Sequence, residues 1–293
     1  LLMPISLMDQ LADVPVAVVD VETTGSSAFY GDRVTEIGIA VWRGGEVVET
    51  YQQLVDPCRR INPGVVALTG ISDAMVAGQP RFAEIADEVN RLMRGAVVVG
   101  HNVRFDLSFL DNEYVLAGRC IEEQWGTSTV LDTVRIARRR FGRGGNGLQR
   151  LAVRFGIDVD TAHRALADAL TTGQVLGHLL GPVGGWGLPL VDVLALQGGP
   201  MELSKQSARR ETEDVVSTLP LELAEALRQR AAVRMEYLDA RHRRTERVIE
   251  PMDVKRSQRN PEDDTLVCYC HLRQEMRTFK LARIVSVTRV SEV

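Results

Sequence analysis

Lysine is nearly missing from this chain: only three of its 35 basic residues are lysine and the rest are arginine, a bias that genomic composition and phosphate recognition explain equally well. Cysteine is scarce too. Cys58, Cys120, Cys268 and Cys270 are too few and too dispersed for a disulfide framework, which excludes the small disulfide-stapled class. No apolar stretch approaches the roughly 20 residues that a helix needs to cross a bilayer, so a membrane partner is not expected. Residues 1–8 carry no basic n-region and read as a poor signal peptide. The cytoplasm is the expected compartment. What the chain does have is bulk: 293 residues, 45% of them hydrophobic, can bury ample core and exceed the usual size of one domain.

The net charge of -4 divides unevenly. Residues 1–217 hold 20 Lys+Arg against 27 Asp+Glu, and residues 218–293 hold 15 against 12. The first part contains the residues that carry chemistry. Residues 14–21 read as a short buried strand, and in a strand i and i+2 project from one face, so Asp20 and Glu22 point the same way before Thr23-Thr24-Gly25 breaks the strand. Two carboxylates there repel each other unless a cation lies between them, and oxygen-only ligands favour Mg2+ or Mn2+ over zinc. A solvated pair beside a turn is the plain alternative.

Residues 96–100 form a second apolar strand, and 101–110 turn from it into a helix with Phe105, Phe109 and Leu110 on its apolar side, which puts Asp106 in the first turn. A favourable contact with the helix dipole would by itself explain an acid there. The third segment, His163 to Asp168, opens another helix. Five residues on a helix subtend roughly 140°, too far to share a face, so His163 and Asp168 converge only if His163 lies in the non-helical approach. A histidine near an activated water suits a general base, since the residue type titrates near neutrality.

In order and spacing these segments resemble the DEDDh branch of the DnaQ-like 3'-5' exonucleases, the family of the proofreading epsilon subunit. The first motif is Val19-Asp20-Val21-Glu22-Thr23-Thr24-Gly25, the second Gly100-His101-Asn102-Val103-Arg104-Phe105-Asp106, the third His163-Arg164-Ala165-Leu166-Ala167-Asp168-Ala169. Leu68-Thr69-Gly70-Ile71-Ser72 and Leu131-Asp132-Thr133 match two further family segments, and the resemblance covers about residues 15 to 180. It implies that Asp20, Glu22, Asp106 and Asp168 hold two Mg2+ or Mn2+ ions at the scissile phosphate, with His163 as base. It also implies that Thr23, Thr24, Thr69, Gly70, Ile71, His101, Asn102 and Phe105 hold the terminal nucleotide.

Three features invite other readings. The glycine pattern from Gly142 to Gly147 follows the arginine-rich segment 135–141 instead of a buried strand, so it is read as a loop, not a dinucleotide site. Arg138-Arg139-Arg140 fits either a nucleic-acid backbone or a solvated helix face. Cys268-Tyr269-Cys270 sits in an alternating run with no second cysteine pair, which points to a strand with two small side chains on one face and away from a metal site.

Gly/Pro-rich stretches between 181 and 220 read as a linker, with 190–197 a short docking helix. A helix from Leu221 is followed by strands at 233–238, 244–254, 265–272, 276–281 and 284–290, a pattern expected to close into a small barrel. Val233-Arg-Met-Glu-Tyr237, Ile249-Glu250-Pro251, the run from Leu266 to Arg273 and the run from Arg277 to Ile284 resemble a WYL domain, an Sm-like barrel. The name-giving triplet departs from the pattern, with Asp264-Thr265-Leu266 in its place. The resemblance implies a basic groove, for which Arg244, Arg273, Arg277 and Arg283 are the candidates.

The expectation is therefore an α/β protein: an N-terminal extension (1–13), a ribonuclease H-like exonuclease domain with a mixed five-stranded sheet (14–180), a linker (181–219) and a WYL barrel (220–293). The expected reaction releases nucleoside 5'-monophosphates from single-stranded or frayed DNA 3' ends. RNA is the alternative substrate, and a polymerase or repair protein an expected partner. The competing reading is a non-catalytic oligonucleotide or ligand sensor, against which five intact catalytic-type residues argue.

Overall fold

The computed structural model describes residues 5–126, 129–158, 163–203, 219–229, 231–239, 242–255, 257, 260 and 263–290. Residues 1–4 of the expected N-terminal extension and 204–218 of the expected linker lie outside the described residues. The chain forms two compact units: one from 1–24, 33–61 and 68–204, the other from 25–32, 62–67 and 205–293.

The first unit is built on a mixed five-stranded sheet in the order β3-β2-β1-β4-β5, with β1 Val16–Thr23, β2 Val34–Arg43, β3 Glu46–Leu54, β4 Val97–Gly100 and β5 Val130–Asp132. β1 runs antiparallel to β2 and β2 to β3, whereas β4 and β5 are parallel to β1. Val16, Ala17, Val18 and Val19 are almost fully buried, the continuous apolar run of a central strand covered on both faces. Its helices are α2 Asp73–Val76, α3 Phe82–Met93, α4 Arg104–Leu116, α5 Ile121–Trp125, α6 Thr133–Phe141, α7 Leu148–Phe155, α8 Ala165–Leu180 and α9 Leu190–Gln197, while most of α1 Pro63–Thr69 falls in the segment 62–67 of the second unit.

α8 lies unusually close to β2. A Cβ at Gly38 would fall 2.2 Å from the Leu166 nitrogen, and one at Gly173 would fall 2.3 Å from the Trp42 ring. Glycine at both positions lets the helix backbone settle on the strand. The expected docking helix is α9: Leu190, Val193 and Leu194 join the core, and the buried Gln197 serves the sheet's edge, accepting from the Asp132 amide at 2.9 Å and donating to the Val130 carbonyl at 2.9 Å. Among the described residues no helix is long and apolar enough to cross a membrane.

The second unit carries α10 Leu221–Gln229 and five strands, β6 Val233–Leu238, β7 Arg244–Lys255, β8 Thr265–Cys270, β9 Glu275–Lys280 and β10 Ile284–Arg289. They form one antiparallel sheet in the order β10-β6-β7-β8-β9. The expected barrel is not closed: β10 and β9 are its two edges, with no ladder between them among the described residues. Leu266, Cys268 and Cys270 are buried on one face of β8, packed with Leu223, Leu227, Met235 and Ile249. The Cys-x-Cys pair is thus part of an apolar core.

Candidate active site

The metal-type residues gather where β1 ends. Parallel pairing brings the C-terminal ends of β1 and β4 to one edge of the sheet, the usual place for a site in such folds. Asp20 and Glu22 project from β1 on one face, and Asp168 comes down from the first turn of α8. Carboxylate oxygens of these three lie within 4.8 Å of one another. Asp106, buried in the first turn of α4, accepts from the Val21 amide at 3.0 Å, which ties the second motif to the first.

Arg164 and His163 offset only part of this cluster's charge: Arg164 acts to lower Glu22 and His163 to lower Asp168, and burial, with the neighbouring carboxylates at Glu22, outweighs both. Burial first, then the charges of Asp106, Glu22 and Asp168, hold the Asp20 carboxyl well above the usual carboxylate range. Burial and the neighbouring Asp168 and Glu36 push Glu22 up to about 7. Burial also raises Asp106 and Asp168, against hydrogen bonds from the Val21 amide in one case and the His163 amide in the other. An oxygen-only donor set whose members resist ionisation together fits a hard divalent cation, because such a cation removes the repulsion that burial magnifies.

His163 lies outside the helix, with φ of 61°, a left-handed conformation uncommon for a side chain other than glycine or asparagine. Its amide donates to Asp168 Oδ2 at 3.3 Å, the convergence that spacing alone permitted only for a non-helical His163. The next residue explains how that approach is held. Arg164 forms a bidentate pair with the fully buried Glu36 of β2 (Nε to Oε2 3.0 Å, Nη2 to Oε1 2.5 Å), while Glu36 also accepts from the Ala165 amide at 3.0 Å and from Gln52 at 2.8 Å. Burial acts to raise Glu36, but these hydrogen bonds outweigh it and lower its pKa. Glu36 is the register partner of Glu22, an arrangement of like charges that is unfavourable in a sheet unless a cation such as Arg164 intervenes.

A second ion pair braces α4. Arg33 clamps the buried Glu113 (Nε to Oε1 2.8 Å, Nη2 to Oε2 2.7 Å), which also accepts from the Val34 amide at 3.1 Å. Asp132 caps α6 by accepting from Val134 and receives the Asn102 amide at 3.0 Å, and Gln149 of α7 donates to Asp168 at 3.2 Å. Sequence reasoning missed Glu36, Glu113, Gln149 and Gly38. Only the apolar setting of the two acids, each among residues that read as core, could have singled any of them out.

Thr24 and His101-Asn102 follow directly on β1 and β4, at this same edge. Thr24 Oγ1 accepts from the Arg33 amide at 3.1 Å, and both Thr23 and Thr24 are buried. Thr69 accepts from the Ile71 amide at 3.1 Å; Ile71 is buried in the core, while Gly70 (φ 72°) is exposed. His101 bonds Thr133 Oγ1 through Nδ1 at 2.8 Å, and burial drives it down to about 4, so its ring is neutral at pH 7. Asn102 is exposed with φ of 66°, and Phe105 packs on Phe109. In the second unit, Arg244 lies 3.9 Å from Glu236 and Arg277 lies 3.7 Å from Glu275; Arg273 follows β8 and Arg283 precedes β10.

Residues 17–176 match the family described as Exonuclease, and residues 219–289 match the WYL domain. Among relatives, the 3'-5' exonuclease DinG of Bacillus subtilis is 37% identical over 164 residues, 56% of this chain and 17% of that protein. The DNA polymerase III subunit epsilon of Treponema pallidum is 38% identical over 153 residues, 51% of this chain and 69% of the subunit. The chain therefore spans about a sixth of DinG and about two thirds of the epsilon subunit. Escherichia coli exonuclease I in complex with a dA16 oligonucleotide shares the fold, with a TM-score of 0.53 and 16% identity over 88% of this chain and 55% of that one. So does the nuclease domain of 3'hExo, a DEDDh family member bound to rAMP, with a TM-score of 0.52 and 17% identity over 60% of this chain and 96% of that one.

Proposed function

The chain belongs to the DnaQ-like 3'-5' exonuclease family, a divalent-metal-dependent group, and from that premise we propose that it removes nucleotides as 5'-monophosphates from single-stranded or frayed DNA 3' ends. The observation that carries this reading is the convergence of Asp20, Glu22 and Asp168, with Asp106 behind them, whose carboxyls are all held up by burial, joined at Asp20 and Glu22 by neighbouring carboxylates. In this reading residues 14–180 are the nuclease domain and 220–293 the WYL domain. Asp20, Glu22, Asp106 and Asp168 hold two Mg2+ or Mn2+ ions, which supply the charge that an anionic phosphodiester and a water nucleophile need. His163 takes the proton from that water. The Asp168 carboxylate holds the His163 backbone, and the Glu36–Arg164 pair holds the approach to α8, so the segment that carries the base is anchored on both sides of the ring's attachment. Neutral His101, Asn102 and Phe105 line the end of β4 beside this cluster and, with Thr23, Thr24 and the Thr69 to Ile71 turn, receive the terminal nucleotide.

DNA comes before RNA because the epsilon relative is by name a DNA polymerase subunit, which also makes a polymerase or repair protein the partner to seek. The C-terminal unit is proposed to bind nucleic acid or a regulatory ligand through Arg244, Arg273, Arg277 and Arg283. The test is hydrolysis of 3'-labelled oligonucleotides, as DNA and as RNA. Turnover should require Mg2+ or Mn2+ and fall by several orders of magnitude in Asp20→Ala, whose folding is retained because a repulsive charge is removed. Full activity in EDTA would overturn the reading.

A further inference from the structure

Residues 133–156, spanning α6, the turn after it and α7, contain seven of the 35 basic residues and no acidic one. Several arginines elsewhere pair with carboxylates, as Arg33 does with Glu113, Arg91 with Glu49 and Glu88, Arg119 with Asp87, Arg234 with Glu246 and Arg289 with Glu225. Among the described residues none of the seven forms a salt bridge, although Arg135 acts electrostatically on Asp132. Four are occupied by neutral groups. Arg135 donates to the Gly198 carbonyl and Arg139 lies against Gly198; Arg140 donates to the His178 and Leu179 carbonyls, and Arg154 covers the Phe141 ring. Arg138, Arg143 and Arg150 are exposed and, among the described residues, carry no such contact.

Arg138 and Arg150 sit on segments tied to the acidic edge, and Arg143 lies in the turn that joins those segments. Arg138 acts electrostatically on His101, whose Nδ1 meets Thr133 at the start of α6. Arg150 follows Gln149, which donates to Asp168. Arg143 sits in the exposed turn between the two helices. The dipole at the C-terminal end of α6 favours cations in its last turn, which accounts in part for Arg138 but not for Arg143 or Arg150. Crowding uncompensated guanidinium groups beside an anionic pocket makes physical sense if a polyanion passes between them, its 3' end in the pocket and its phosphates on the arginines.

We propose that Arg138, Arg143 and Arg150 hold the phosphates of the substrate single strand upstream of its 3' end. This rests on the exonuclease reading and assigns strand retention to the nuclease unit itself. The experiment compares the full-length wild type with the triple variant Arg138→Gln/Arg143→Gln/Arg150→Gln on single strands of 2 to 20 nucleotides over a range of salt. The expected result is a KM raised at least tenfold for the 20-mer and unchanged kcat. The slope of log kcat/KM against log salt should be reduced by about 2, at roughly 0.7 per phosphate contact, with little change on the dinucleotide. Anisotropy of a labelled 20-mer on Asp20→Asn with and without the three substitutions gives the same comparison without turnover. A wild type that hydrolyses strands while the triple variant matches it in KM, salt slope and anisotropy overturns the proposal and leaves the exonuclease reading standing. A wild type that hydrolyses nothing in Mg2+ or Mn2+ removes the exonuclease reading itself. Loss of length dependence on Arg244→Gln/Arg277→Gln and not on the triple variant would move strand retention to the C-terminal sheet and also overturn the proposal.

Discussion

The acidic pocket and the two ion pairs beside it are made from the same residue types on neighbouring strands and helices, yet they differ in what balances their charge. Glu36 and Glu113 are each buried against an arginine fork and a backbone amide, whereas Asp20, Glu22 and Asp168 face one another. A buried charge that is paired and fully hydrogen-bonded holds a backbone in place; charges that repel each other remain useful only to something that binds them. Arg138, Arg143 and Arg150 are likewise without a salt bridge among the described residues.

Breaking a pair should therefore act on folding, and altering a cluster should not. Arg164→Ala leaves Glu36 buried without its cation and should lower the stability of the first unit by about 2–4 kcal/mol, somewhat under the penalty for a fully buried pair because water reaches Arg164. Arg138→Gln should change it by less than about 0.5 kcal/mol. Urea unfolding followed by tryptophan fluorescence reads this unit alone, since Trp42, Trp125 and Trp186 all belong to it. Equal losses from the two substitutions would erase the distinction.

A smaller effect sharpens the same contrast. The pocket carboxyls are raised in the folded state, so between the ordinary carboxylate pKa and the folded value the native protein holds more protons than the unfolded chain, and stability falls as pH rises. For Glu22 that window runs from about 4.5 to about 7. In the metal-free protein the unfolding midpoint should fall from pH 6.5 to pH 8, and Mn2+ should stabilise more at pH 8 than at pH 6. Buried His101, held down to about 4, works the other way below pH 6.5, so a midpoint that does not fall between pH 6.5 and pH 8 would mean that the pocket is not self-repelling.

The sequence made the segments with the candidate ligands legible because the first two sit at the end of apolar runs and the third opens a helix of clear period. β6 to β10 also lie where alternation placed them, within a residue or two at most ends. Barrel closure was not legible, since it depends on how the edges β9 and β10 meet, and alternation is the same in an open sheet. Nor could spacing reveal that Gly38 admits the α8 backbone or that Glu36 holds Arg164, because both facts depend on contacts between segments more than 120 residues apart. The approach of His163 lay in between. Helical geometry showed that it must leave the helix, and its positive φ and the Asp168 bond show how.

Calorimetric titration of Mn2+ into the full chain at pH 8 tests most directly whether unbalanced charge marks the binding site. The wild type should bind, Asp20→Asn should lose most of its affinity, and Glu113→Gln, in a folded preparation, should retain it. His163→Ala should keep metal affinity while losing turnover. Unchanged Mn2+ affinity in Asp20→Asn, or a loss in Glu113→Gln equal to that in Asp20→Asn, would contradict the account.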